Sequence, residues 1–383
     1  SFLDNANMRA VFEGNLDPAR LLDAIAIETG RPVDPESTLI VFDEIQECPP
    51  ALTSLKMFHE RRPDLAIIAA GSLLGVAMHS GQSFPVGKVE HLDLGPMSFP
   101  EFLTGTGQDQ LAKLLQDRDF DLIGAFRERF TDALRRYFFV GGMPEAVQTY
   151  ADTGDYRQTR AVHDRLLYDY EHDFSKHAPG DTAERVRLVW NAIPAQLAKE
   201  NRRFVYSALR RGARARSFEE AIQWLVDAGL LLRVDRVSKP GLPLTAYRDL
   251  GAFKLFMLDV GLLAAVSGLE PKTLLDGDRL FEEFRGSLTE QYVCQQLVAS
   301  GLKPFYWSAE NSSGEIDFLY QWEGSVVPVE VKAAENLRAK SLRAFSDKYG
   351  IAKSVRFSLA DHREQDWLTN IPLYACGTVN PAA

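Results

Sequence analysis

The sequence lacks several features that would assign a protein class directly. Its three cysteines are odd in number and scattered, which excludes a disulfide framework and fits a reducing compartment. No apolar run reaches the roughly 18 residues that a membrane-spanning helix needs, and the N-terminus does not have the pattern of a signal peptide. The seven histidines form neither HxH nor HExxH, so no structural zinc site is expected. These absences predict a cytoplasmic protein without a membrane partner.

Charge and composition set wider limits. The net charge of −10 argues against non-specific nucleic-acid binding by the whole surface, although local basic patches remain open. A hydrophobic share of 45% and a charged share of 25% are ordinary for soluble globular chains. The length of 383 residues is enough for roughly two to four domains.

The stretch "TLIVFDEIQ", residues 38–46, is an apolar strand that ends on two carboxylates, Asp43 and Glu44. A second strand-like run, "LAIIAAGS", ends at Ser72. Helical text separates the two runs, which indicates an α/β parallel sheet, and ligands bind at the carboxyl ends of such strands. In a nucleoside triphosphatase Asp43 would hold Mg²⁺ through water, and Glu44 would orient or deprotonate the attacking water. Ser72 would contact the γ-phosphate or that water; the alternative is that the two acids only cap the next helix.

Three motifs in this region resemble one family of bacterial and archaeal AAA+ ATPases that carry a following domain of unknown function. They are "FDEIQ" at 42–46, "GSLLG" at 71–75 and "GKVEHLDLGPMSFPEFL" at 87–103. The resemblance implies ATP and Mg²⁺ as cofactors, with Asp43 and Glu44 as the Walker B pair. It also implies that Lys88 approaches the γ-phosphate, against the alternative of a solvated lysine on a turn. Assembly into homo-oligomers through the nucleotide sites is a further implication.

The sequence contains no glycine-rich phosphate loop of the form GxxxxGK[ST], because the one Gly-Lys pair, Gly87-Lys88, is followed by Val89. In the family this loop precedes the strand that corresponds here to Phe2–Asp4. Since residue 1 is a serine and the text opens inside a pattern, we expect that an upstream segment is absent; true loss of the loop is the alternative. The 383 residues alone are then expected to bind ATP poorly.

A basic stretch lies in the middle of the chain. The order of short helices followed by two strands between 203 and 258 suggests a winged helix, and its arginines could face a phosphate backbone. A solvated face or a docking surface for acidic domains is the alternative. The arginines are Arg202, Arg203, Arg210, Arg211, Arg214 and Arg216.

The C-terminal stretch "GEIDFLYQWEGSVVPVEVK" carries a second group of charges. Strand alternation puts Glu330 and Lys332 on one face, and a hairpin can bring Asp317 beside them. Glu290, in the preceding helix, could complete a Mg²⁺ site in which the acids hold the metal and Lys332 assists the nucleophile. The spacing and the order helix–strand–strand–strand–helix–strand resemble the restriction-endonuclease-like fold. Glu315 could replace one of the metal ligands. The alternative is that these charges only form salt bridges between two strands.

The predicted fold class is α/β with four regions. Residues 1–108 form an incomplete P-loop ATPase sheet, 109–180 a helical lid or linker bundle, 181–270 a winged-helix-like region and 278–383 a nuclease-like domain. Three functions stay open: an ATPase that drives motion on a nucleic-acid or protein partner, a non-catalytic nucleic-acid-binding or regulatory protein with relic sites, and a Mg²⁺-dependent DNA endonuclease switched by the ATPase.

Overall fold

The computed structural model describes residues 1–71, 87–178, 182–198, 203–210, 212–272, 282–309, 314–333 and 339–377. The chain divides into two compact units, the first containing residues 1–94 and 227–229 and the second residues 95–226 and 230–383. The first boundary therefore follows Leu94, whereas the sequence predicted it after residue 108. The other three predicted regions lie mainly within the second unit.

Helices and strands alternate in the first unit, and helices precede most of the strands in the second. The helices are α1 (Ala6–Glu13), α2 (Pro18–Thr29), α3 (Pro49–Arg61), α4 (Phe99–Gly105), α5 (Asp109–Asp117), α6 (Phe120–Ala125), α7 (Arg127–Val140), α8 (Pro144–Thr153), α9 (Tyr156–His177), α10 (Thr182–Leu197), α11 (Ala215–Asp227), α12 (Val260–Val266), α13 (Glu282–Ala299) and α14 (Lys340–Tyr349). The strands are β1 (Leu39–Phe42), β2 (Ala66–Ala69), β3 (Leu231–Val237), β4 (Arg248–Met257), β5 (Phe305–Ser308), β6 (Glu315–Trp322), β7 (Ser325–Val331), β8 (Ser354–Ser358), β9 (Arg363–Glu364) and β10 (Leu368–Pro372). No helix within these described ranges is long and apolar enough to cross a membrane.

The first unit is built on the parallel pair β1 and β2, as the alternation of strands and helices predicted. Ile40 and Phe42 point from β1 into a core that also contains Phe12 and Phe58. The Phe42 ring meets the Phe12 ring edge-on at 5.4 Å and lies 6.1 Å from the ring of Phe58. The period-two pattern of β1 therefore fixes which face of this strand is buried. Asp43 follows directly after the last residue of the strand.

The second unit contains one sheet in the order β4-β3-β5-β6-β7-β8-β10-β9. The hairpin β3–β4 belongs to it, because β3 pairs in parallel with β5 through Arg236 and Tyr306. The sequence assigned this hairpin to a separate winged helix, which differs from what is observed. Near-continuous burial at the end of β4, from Ala252 to Met257, shows that this edge strand is covered by packing, whereas an exposed wing would not be.

The C-terminal half of the sheet has the predicted order of elements, α13, β5, β6, β7, α14 and β8. Strands β5, β6 and β7 are antiparallel neighbours, and β8 runs parallel to β7 after α14. Two further strands, β9 and β10, follow β8 and extend the sheet beyond the last strand that the sequence predicted. This arrangement positions β6 and β7, the two strands that carry the predicted acidic residues.

Helix α13 is buried along most of its length, and several of its polar side chains are hydrogen-bonded. Gln291 accepts from the Met257 N–H at 2.8 Å and donates to the Met257 carbonyl at 2.6 Å. Gln295 accepts from the Val260 N–H at 3.0 Å. Because buried polar groups are costly unless they are paired, these bonds fix the helix against β4 and α12. Glu290 lies in this same buried stretch.

Candidate functional site

The first candidate site is the end of β1, where Asp43 and Glu44 follow Phe42. Strand β2 continues beside it, because the Ala70 N–H donates to the Phe42 carbonyl at 2.8 Å and the Ile45 N–H donates to the Ala70 carbonyl at 3.0 Å. Both strands therefore end at the same edge, and Asp43 and Glu44 lie there. Asp43 is exposed and Glu44 is half-buried.

Glu44 adopts a left-handed backbone conformation, with φ 50° and ψ 49°. Such a conformation costs a non-glycine residue about 1–2 kcal/mol, and residues held in it cluster at functional sites. The turn buries Ile45 completely while its N–H bonds to β2, so packing offsets the strain. Gln46 Nε2 donates to Glu44 Oε2, which orients the carboxylate.

The capping alternative for the two acids finds no support in the described contacts. The short 3₁₀ turn Ile45–Glu47 begins directly after Glu44, whose side chain makes no capping hydrogen bond. Helix α3 begins later, at Pro49. Capping of a helix therefore does not account for the glutamate at this left-handed position.

Two other residues were predicted for this site. Ser72 lies outside the described residues. Lys88 forms an ion pair with Glu60 at 3.8 Å, with 36% of its side chain exposed. Lys88 is therefore a partly exposed, paired lysine, and its predicted role near a γ-phosphate stays a prediction.

The second candidate site lies on β6 and β7, which bring Asp317, Glu330 and Lys332 together. The register pairs Phe318 with Val329, which places Asp317 opposite Glu330 one step further along. Lys332 Nζ lies 3.2 Å from Glu330 Oε1. Asp317 Oδ2 accepts a 2.7 Å hydrogen bond from the Val331 N–H, so this carboxylate lies against the β7 backbone.

Glu330 is the most buried acid of this group, with 7% of its surface exposed. Burial raises the pKa of its carboxyl above the ordinary value, and the charge of Lys332 opposes that rise. Its Oε2 is buried and makes no hydrogen bond within the described part of the chain. An acceptor oxygen in this state is available to a ligand that supplies positive charge.

Glu290 is directed elsewhere, toward a residue that the sequence did not indicate as functional. Lys254 on β4 is completely buried, and its Nζ lies 3.7 Å from Glu290 Oε2. It also forms an ion pair with Glu315. A lysine at the centre of the apolar stretch "GAFKLFM" was the signal in the sequence that could have identified it.

The arginine stretch is only partly described, since Arg202 and Arg211 lie outside the described residues. The Arg203 guanidinium donates to the Gly251 carbonyl at 3.0 Å, which ties it to β4. The remaining arginines are exposed around the start of α11; they are Arg210, Arg214 and Arg216.

The residues at both sites are suited to Mg²⁺ rather than to metals that need larger sets of ligands. Among the residues that the structure describes, no three His, Cys, Asp or Glu side chains lie together in a group that could hold a metal ion. Mg²⁺ is commonly held by one or two carboxylates with substrate phosphates and water. Asp43 at the edge of the sheet, and Asp317 with Glu330, are compatible with that requirement.

Comparisons with known proteins matched three segments of the chain to protein families and found one similar solved structure. Residues 3–103 match a family described as an AAA domain, and residues 131–273 and 285–376 match two families described as domains of unknown function. A search of curated proteins found no match. The solved Walker-type ATPase of Pyrococcus abyssi is 15% identical over 66% of this chain and 68% of its own, with a TM-score of 0.38, too low to argue for a shared fold. Residues 3–103 are thus similar to an AAA domain, and the two matched segments that follow are similar to domains of unknown function.

Proposed function

We propose that the edge where β1 and β2 end is the carboxylate half of an ATP-hydrolysing site. The observation that carries the proposal is the strained Glu44 directly after Asp43, held by the Ile45 bond to β2. The family match of residues 3–103 supports it independently. A carboxylate at this position suits a base or an orienting group for water.

In this proposal each acid has one role. Asp43, exposed at the strand end, would hold Mg²⁺ through water, and the cation would neutralise charge on the phosphates. Glu44 would accept a hydrogen bond from the attacking water and take its proton as the water oxygen bonds to the γ-phosphorus. The bond from the γ-phosphorus to the bridging oxygen breaks in the same step, and ADP leaves. Gln46, which donates to Glu44, keeps the carboxylate in place.

The donors that would hold the phosphates are not supplied by a known motif, because the sequence contains no GxxxxGK[ST]. We therefore propose that these 383 residues bind Mg-ATP weakly without a glycine-rich loop to hold the phosphates. Phosphate release by the full-length protein, with and without Glu44→Gln, tests the proposal.

A second candidate function is metal-dependent phosphodiester cleavage at β6 and β7. The observation in its favour is that Asp317, Glu330 and Lys332 converge, and that buried Glu330 has an oxygen without a hydrogen bond in the described structure. Asp317 and Glu330 would hold the cation, which would lower the pKa of its bound water. Lys332 would stabilise the charge that develops on the attacked phosphate. A nucleic acid is the substrate class that the exposed arginines fit.

The arginine patch yields a prediction about salt dependence. We expect a triple substitution to alanine at Arg210, Arg214 and Arg216 to make the plot of log affinity for duplex DNA against log salt shallower by about three units, one for each lost phosphate contact. Fluorescence anisotropy at five salt concentrations measures the slope. The control is the triple alanine variant of Arg129, Arg135 and Arg157, which removes equal charge from exposed positions on α7 and α9. Equal slopes for both triple variants would show that these arginines form a solvated face and do not contact DNA phosphates.

A further inference from the structure

Lys254 is an ammonium group with no exposed surface, and the other buried side chains of β4 are apolar. Lysines are almost never fully buried unless they are paired, and unpaired buried charge is strongly destabilising. Here the pairing is with two carboxylates, Glu290 at 3.7 Å and Glu315 in closer contact. The ammonium also lies 4.9 Å from the centre of the Tyr306 ring.

The partners of Lys254 connect it to the second candidate site. Glu315 and Asp317 are two residues apart on β6, with Ile316 buried between them, so their side chains share one face of the strand. The acids therefore divide into two pairs. Glu290 and Glu315 contact Lys254, whereas Asp317 and Glu330 lie at the β6–β7 register near Lys332.

A divalent cation and an ammonium compete for the same carboxylate oxygens. An ammonium already placed between Glu290 and Glu315 neutralises one of their charges and repels a cation that approaches them. Beside Asp317 and Glu330 the nearest ammonium is that of Lys332, which is 40% exposed and contacts Oε1 of Glu330. The buried guanidinium of Arg356, which lies opposite Glu330 on β8, also acts on this carboxylate, but it donates to Asn370. Glu330 Oε2, which belongs to this second pair, is buried and makes no hydrogen bond in the described ranges.

We infer that the ammonium of Lys254 occupies the position that a second divalent cation would take. The four carboxylates described above therefore bind one divalent cation, at Asp317 and Glu330. Glu290 is then a partner of Lys254 and not a metal ligand, contrary to what the sequence indicated. Lys254 is a positioning residue that determines how many divalent cations these carboxylates bind. The inference rests on the proposed phosphodiesterase site, but the count itself can be measured without any assay of cleavage.

The first test is the number of Mn²⁺ ions bound per chain, measured by electron paramagnetic resonance of the free ion. We expect Lys254→Met to bind one more Mn²⁺ than the wild-type chain, at the carboxylates that the ammonium has left. Lys340→Met, which removes an exposed lysine at the start of α14, should keep the wild-type count. Equal counts for Lys254→Met and wild type would overturn the inference.

If Lys254→Met does not fold in metal-free buffer, its circular dichroism is followed while Mn²⁺ is added. Recovery of the folded spectrum is expected, because a divalent cation can replace the missing charge, and failure to recover would contradict the inference. Glu290→Gln supplies a second variant with the side-chain volume preserved. Its Mn²⁺ affinity should stay within about two-fold of wild type, whereas a ten-fold loss would make Glu290 a ligand and overturn the inference.

The wild-type count separates this inference from the function on which it rests. A wild-type chain without bound Mn²⁺ and a Lys254→Met chain with one ion would reject the phosphodiesterase site and keep the role of Lys254. One ion in each would reject the role of Lys254 and keep the site. One ion in wild type and two in Lys254→Met would support both.

Discussion

Glu44→Gln will reduce ATP hydrolysis by about 10²–10⁴-fold, the contribution typical of a positioned general base. Glutamine keeps the volume of the side chain and can still accept from Gln46, which donates to residue 44 in the wild-type chain. It cannot take a proton from water. Binding of ATP should therefore be retained while turnover is lost, and this combination separates a catalytic role from a structural one.

Phosphate release and equilibrium ATP binding are both measured on the full-length protein. Glu47→Gln is the matched control, because Glu47 lies three residues away in the 3₁₀ turn and is also half-buried. It should hydrolyse ATP at the wild-type rate. Wild-type turnover by Glu44→Gln would show that Glu44 is not the general base, and it would contradict the proposed mechanism.

Asp317→Asn and Lys332→Ala should each lower Mn²⁺-dependent cleavage of DNA by at least about 100-fold, since a metal supplies several kcal/mol of transition-state stabilisation and each 1.36 kcal/mol is ten-fold in rate. Asparagine can still accept the hydrogen bond that the Val331 N–H donates to Asp317, so β6 and β7 should keep their register. Supercoiled and branched DNA are incubated with the protein and Mn²⁺, and the products are resolved on gels.

Glu323→Gln is the control for this experiment, because Glu323 is exposed in the turn between the same two strands. It should leave cleavage unchanged. Cleavage that persists in Asp317→Asn and in Lys332→Ala would show that another group is responsible. If the wild-type protein does not cut and only binds DNA, the convergent acids are relics and the alternative of a nucleic-acid-binding or regulatory protein is favoured.

Local patterns in the sequence were sufficient to predict the elements that carry both candidate sites. Strand β1 alternates between core and surface positions, and it ends directly before Asp43, as the apolar run indicated. The order of α13, β5, β6 and β7 follows from turn residues and alternation, and it brings Asp317 beside Glu330. These features depend on neighbours in the chain, which is why a single sequence can specify them.

Features that depend on distant partners could not be predicted in the same way. The hairpin β3–β4 has the local pattern of any hairpin, and only its pairing with β5, about 70 residues later, makes it part of the large sheet. The environment of Lys254 follows from that pairing, because β4, α13 and β6 supply the three charges. The left-handed turn at Glu44 was equally hidden, since no glycine or asparagine marks it.

The central claim is that Asp43 holds Mg²⁺ at the edge of the parallel strands, and the Mg²⁺ requirement for phosphate release tests it most directly. A charge that acts on a dication through water at about 4.5 Å contributes about 2 kcal/mol. Asp43→Asn should therefore raise the Mg²⁺ concentration for half-maximal phosphate release more than about ten-fold. Asp23→Asn, which removes an exposed charge from α2, should leave it unchanged. The same Mg²⁺ requirement in Asp43→Asn and wild type would contradict the account.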